Sequence, residues 1–150
     1  MLKITSNLFL ISLSLLILGC EKISTDPVFS TTPAIKITEI SQDTLVQFVD
    51  KLILKIEYED GDGDLGNANP DINSIFVKDS RLEAADEYYL PPLAPDSAFI
   101  SITGVFNLEL STTFLFGNGT EESAVFEIFI MDRAGNRSEA VETTPILIVQ

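Results

Sequence analysis

Apolar residues recur at every second position in several short runs of this chain, and nowhere at sustained helical spacing. Leu52, Leu54, Ile56 and Tyr58 alternate with Lys51, Ile53, Lys55, Glu57 and Glu59, as a strand with one dry and one wet face requires. Phe106, Leu108 and Leu110 alternate with Asn107, Glu109 and Ser111, while Phe126, Ile128 and Ile130 form an inward row opposite Val125, Glu127 and Phe129. Further strands are expected over 34–40, 74–78, 99–103 and 141–149, with turn residues between them. About seven short strands in about 117 residues predict an all-β fold, an antiparallel two-sheet β-sandwich. The stretch 81–98 reads differently. Its residues 82–87 suit a single helical turn, and Pro91, Pro92 and Pro95 then enforce a loop or an extended edge.

The N-terminus has a different character. Lys3 precedes the apolar run 8–18, which ends in Ile17-Leu18-Gly19-Cys20. A short basic start and an apolar core make a secretory signal peptide. The run falls short of the roughly 20 apolar residues that cross a bilayer. Its last four residues resemble the lipobox read by the lipoprotein signal peptidase, so residues 1–19 are expected to be removed and Cys20 to carry lipid (palmitate and related acyl chains) on its sulfur. The alternative is an ordinary exported protein with a chance cysteine, but Cys20 is the single cysteine of the chain. Residues 20–33, rich in Ser and Thr and interrupted by Pro27 and Pro33, read as a tether. Residues 34–150 then form one domain.

Composition removes several function classes. With one cysteine no intrachain disulfide forms, so stability must come from the core or from a bound ion. Cleavage before Cys20 removes Lys3 from 9 basic residues, leaving 8 against 23 acidic ones, a net charge near −15. Phosphate backbones repel such a surface, and no nucleic acid is expected as partner. The chain has no histidine, which excludes Ser-His-Asp and Cys-His machinery and the usual zinc sites. It has no tryptophan either, which weakens any sugar-stacking platform.

Hard oxygen ligands are plentiful. Asp60, Asp62 and Asp64 stand two apart, with Gly61 and Gly63 between them and Gly66 after. Extended backbone puts such carboxylates on one face, and the glycines let the loop curl until all three point at one centre. Three carboxylates at one point repel one another and raise each other's pKa unless a cation lies between them. Calcium suits them, since it takes 6 to 8 oxygens in irregular geometry. The segment is no EF-hand, because Leu65 holds the sixth position, Asp71 the twelfth, and a strand precedes it. The other reading is a soluble acidic turn. Paired carboxylates also hydrolyse glycosides, but that chemistry needs a sugar-binding cleft that a small domain with its acids on one glycine loop does not offer. The chain is therefore not expected to be an enzyme.

Three features in order carry a resemblance: Glu59-Asp60-Gly61-Asp62-Gly63-Asp64-Leu65-Gly66 after a strand, Ile102-Thr103-Gly104 before an alternating strand, and Asp132-Arg133-Ala134-Gly135-Asn136-Arg137-Ser138 in the last hairpin. Together they resemble the Ig-like domains of surface and periplasmic lipoproteins from Bacteroidota-type bacteria. The resemblance implies an Ig-like or fibronectin-like sandwich and no catalytic activity. In that topology the loop after the second strand and the final hairpin loop share one end. Asp132, and Asp71 from the neighbouring loop, could then complete the calcium shell; a plain hairpin turn is the alternative for Asp132 and Asn136.

Asp43-Thr44-Leu45 and Asp96-Ser97-Ala98 resemble the sites that such cells O-glycosylate, at Thr44 and Ser97. Tyr88 and Tyr89 beside Pro91 form either a contact patch or a flap over a sheet edge. Glu21 after the cysteine departs from the aspartate that resembles an inner-membrane retention signal, which favours the outer membrane, in its periplasmic or surface leaflet. The expected role is a membrane-anchored, calcium-stabilised interaction or accessory subunit of the cell envelope with an envelope protein or glycan as partner. A carbohydrate-binding or glycan-processing accessory is the alternative.

Overall fold

The computed structural model describes residues 29–95, 97–111 and 113–150, and the signal peptide, Cys20 and most of the expected tether lie outside them. The described residues contain ten strands and no helix: β1 (Ala34–Ile40), β2 (Thr44–Val46), β3 (Leu52–Asp60), β4 (Ile75–Asp79), β5 (Asp86–Tyr88), β6 (Ile102–Leu110), β7 (Glu121–Ala124), β8 (Phe126–Ile130), β9 (Val141–Glu142) and β10 (Ile146–Val149). No helix long and apolar enough to cross a membrane is present among them.

Period-two patterning builds the first sheet. In β3, burial alternates residue by residue from Leu52 to Asp60, because successive side chains point to opposite faces. β3 lies between β1 and β6, antiparallel to both. The second sheet orders β5-β4-β8-β9, all antiparallel, and the third orders β2-β10-β7. The chain joins these two sheets twice. β7 continues into β8 through Val125, and β9 into β10 through 143–145. At the break Thr143 closes the ladder: its N–H donates to the Phe126 carbonyl at 3.0 Å and its hydroxyl accepts the Phe126 N–H at 3.1 Å. β2 pairs with β10 in parallel, Thr44 facing Leu147, so the expected antiparallel arrangement holds for every pairing except this one.

The sheets enclose a single apolar core. Leu52, Leu54 and Ile56 of β3 meet Ile75, Val77, Ile128, Ile130, Ile146 and Ile148 across it. Those side chains supply a large part of the driving force, at roughly 25 cal/mol per Å² of apolar surface removed from water.

Residues 82–87, expected as a helical turn, instead lead from a tight turn into β5. Asp79 makes that turn: its carboxylate accepts the Arg81 N–H at 2.9 Å and its carbonyl the Leu82 N–H at 2.9 Å. β5 then adds to the edge of β4, with Tyr88 opposite Ile75. Tyr88 packs against the core and Tyr89 is exposed.

The β3 start marks one pole of the domain. There the Arg81 guanidinium bonds both oxygens of Asp79, Glu122 Oε2 and the Phe114 carbonyl, and lies 4.5 Å over the Phe116 ring. Phe48, at φ 59, stacks on Phe114. The end of β3 marks the other pole, where the acidic loop sits.

Candidate metal centre

Asp60 continues the inward row of Leu52, Leu54, Ile56 and Tyr58, and it is fully buried. The alternation that makes β3 a strand thus drives a carboxylate into the end of the core. Asp62 and Asp64 follow on the loop, half-buried. One carboxylate oxygen from each of the three lies within 4.8 Å of the others. Two oxygens on a common ion are separated by at most twice the ion–oxygen distance, about 5 Å for calcium. The spacing meets that limit.

One oxygen of each carboxylate is without a hydrogen bond. Asp60 Oδ1, Asp62 Oδ1 and Asp64 Oδ1 are all buried and accept no hydrogen bond. The second oxygens are engaged: Asp60 Oδ2 accepts the Asp64 N–H at 3.0 Å, and Asp64 Oδ2 accepts the Ala134 N–H at 3.0 Å. Each of these two carboxylates is therefore held at Oδ2 and bare at Oδ1. A bare buried carboxylate oxygen is costly in the absence of a partner.

The electrostatics follow. Burial first, then Asp132, Asp62 and Asp60, push Asp64 from its ordinary value near 3.8 to about 6, against the opposing Ala134 hydrogen bond. Asp60 is raised as well, by burial and then by Asp62, with the N–H groups of Asp64 and Gly63 working the other way and Asp132 adding to the rise. Arg133 brings one positive charge to an end that holds Asp60, Asp62, Asp64 and Asp132.

Four segments clamp the loop, the first of them 90–93, where the Asn67 N–H donates to the Leu90 carbonyl at 2.9 Å and the Leu93 N–H to the Leu65 carbonyl at 3.1 Å. From the N-terminal side, Ser30 accepts the Gly61 N–H at 2.8 Å, and the Phe29 carbonyl occupies the space a Gly61 side chain would need. Pro33 is fully buried, so the described part of the expected tether, 29–33, is fastened to the domain. From the segment before β6, the Ile100 N–H donates to the Asp62 carbonyl at 3.3 Å. From the last hairpin, Arg133 donates to the carbonyls of Gly66 at 2.9 Å and Gly63 at 3.4 Å, and its N–H to that of Asp64 at 3.2 Å. Gly63 and Gly66 adopt φ of 75° and 77°, the left-handed region where glycine alone carries no steric penalty.

The final hairpin does approach the acidic loop, but Asp132 itself works inside its own turn. Its two oxygens accept the Asn136 N–H at 2.7 Å and the Asn136 amide at 2.9 Å. Neither Asp132 nor Asp71 belongs to the group of three. Asp71 is exposed, and its N–H donates to Asn69 Oδ1 at 3.0 Å. Thr44 is exposed on β2, its hydroxyl bonded to Asp43 at 3.2 Å, and Ser97 is exposed in a turn beside the acidic loop. One part of the site, Arg133, is not readable from the sequence: it stands inside the quoted hairpin motif, but its carbonyl partners are nearly 70 residues away. The burial of Asp60 has a usable signal, because counting by two from Leu52 reaches it.

Comparisons of this chain with protein-family models, with curated proteins and with solved structures find no match.

Proposed function

We propose that this chain is a lipid-anchored, non-enzymatic protein of the cell envelope, whose Ig-like module is stabilised by calcium held at Asp60, Asp62 and Asp64. Two observations carry the metal reading: one carboxylate oxygen from each of the three aspartates lies within ion-sharing distance of the others, and the Oδ1 atom of each is buried without a hydrogen bond. A merely acidic turn would leave such oxygens in water. Calcium is the fitting ion because all three donors are hard oxygens on an irregular loop. The remaining ligands come from backbone carbonyls or water, with Asp132 as a nearby charge.

The strand order supports the Ig-like part of this reading. β1, β3 and β6 stand as the A, B and E strands of such a sandwich do, while β4, β8 and the β9–β10 ribbon stand as C, F and G. The lipobox at Cys20 supports the anchor, and the lack of any histidine supports a binding role over acyl or nucleophilic catalysis.

A thermal melt of the purified protein tests the metal reading. Calcium at 100 times Kd stabilises the folded state by about 2.7 kcal/mol, which raises the melting temperature by on the order of 10 °C. Magnesium should raise it far less, since it demands tighter octahedral geometry. Equal melting temperatures in millimolar calcium and in EDTA would reduce the loop to an acidic turn.

A further inference from the structure

We infer that the pole carrying the acidic loop is a membrane-docking face, on which Phe99 and Ile100 enter the lipid headgroup region when calcium fills the loop. The inference rests on the lipid anchor and the calcium site proposed above, and it names the surface that this end of the domain meets.

Position comes first. The described chain begins at Phe29, whose carbonyl packs on Gly61, and Thr31 accepts the Asn136 amide at 3.4 Å. The polypeptide therefore leaves the domain across the acidic pole itself. Residues 21–28 separate this exit from Cys20, and eight residues reach no more than about 28 Å even at full extension. Nine-residue β3 alone is about as long. An anchor at Cys20 thus joins the domain at this pole and keeps it within that reach of the bilayer.

Apolar exposure comes second. Phe99 is 78% exposed and Ile100 50% exposed. Phe99 lines the same open hollow as Asp62, Asp64 and Arg133. The pair hangs on the metal loop: the Ile100 N–H bonds the Asp62 carbonyl, and the Ile100 carbonyl lies 2.7 Å from where a Gly63 side chain would start. Large apolar side chains held in water beside a lipid anchor have one apolar solvent within reach, and amphipathic elements sit in such an interface by burying a few apolar groups.

Charge supplies the control. Without an ion, the described residues of this pole include the carboxylates of Asp60, Asp62, Asp64 and Asp132 beside the Arg133 guanidinium, so approaching an anionic, low-dielectric surface is unfavourable. Calcium adds two positive charges at the centre of the group, and a bound ion is often the largest local charge in such a site. Docking is therefore coupled to calcium.

The chain has no tryptophan, so Phe99→Trp supplies a single reporter at an exposed position. The full lipidated protein carrying it is reconstituted in phosphatidylcholine vesicles containing phosphatidylglycerol, with and without brominated acyl chains. In calcium the emission should shift to the blue and the brominated lipid should quench it at least twofold, and EDTA should reverse both. Phe48→Trp, at the opposite pole, should stay unquenched. Equal quenching at the two positions, or quenching that ignores EDTA, would overturn the inference. A protein that floats with the vesicles and melts higher in calcium, yet shows no quenching of Phe99→Trp, would overturn it alone. Failure to float would remove the anchor as well, and an unchanged melting temperature would remove the calcium site.

Discussion

Replacing Asp64 by asparagine should stabilise the calcium-free protein and abolish its response to calcium. The substitution keeps the shape of the side chain and an oxygen for the Ala134 N–H, so it removes charge with little change in packing. Asp64 is raised from near 3.8 to about 6 by burial and then by Asp132, Asp62 and Asp60. For a carboxylate whose folded value is raised, the folded state gains from taking up a proton. That gain is complete below the unfolded value and is lost as pH rises through about 6. At pH 7.5 the ionised group then costs about 3 kcal/mol at most, and partial contact with water reduces this to about 1–2 kcal/mol. Asp64→Asn at pH 7.5 in EDTA should therefore raise the melting temperature by roughly 4–10 °C. The wild type in EDTA should melt higher at pH 5 than at pH 7.5, and the variant should show a flatter pH dependence. In excess calcium the order inverts and the wild type melts higher. A variant that melts below the wild type in EDTA at pH 7.5 would refute the reasoning, because the carboxylate would then be stabilising the loop without an ion.

Three further outcomes follow from the geometry. Arg81→Met leaves Asp79, whose side chain is 10% exposed, buried without its partner and should cost about 3 kcal/mol or more in urea unfolding, part of which Asp79→Asn should restore. Gly104→Ala would set a methyl group 2.6 Å from the Tyr58 hydroxyl and should destabilise by about 1–3 kcal/mol, with a non-additive recovery when Tyr58→Leu is added. Cys20→Ser should end incorporation of labelled fatty acid and partition into detergent, and a variant that still labels would remove the anchor.

The strands with clean alternation were legible because their chemistry is local. β3 needs nothing beyond its own sequence, and β1 appears at its expected bounds. Strands are expected separately over 99–103 and over the alternating residues 106–111, and β6 joins parts of both across Gly104. The strand runs through it, since Tyr58 lies directly opposite in the register and its ring covers the position a side chain would take. That partner is 46 residues away and invisible to any window along the chain. β2 was missed for a related reason: of its three residues Leu45 alone is buried, and what makes it a strand is β10. At the acidic loop the two-residue spacing of the aspartates was readable, while the clamping by Phe29–Ser30, Ile100 and Arg133 depends on closure of the whole fold. Asp71 was counted by its place in sequence, and the loop 67–72 instead turns on its own Asn67 and Asn69 caps.

The parallel pairing of β2 with β10 bears on the order in which the molecule assembles. Thr44 faces Leu147, about 100 residues apart, and the Leu147 N–H bonds the Asp43 carbonyl while the Gln47 N–H bonds that of Val149. Leu45 cannot lock into place until β10 has formed. Such late, distant closure makes folding slow. Once β10 arrives, it is sandwiched between β2 and β7, so the strand that completes the structure leaves no open edge of its own for a neighbouring molecule to pair with.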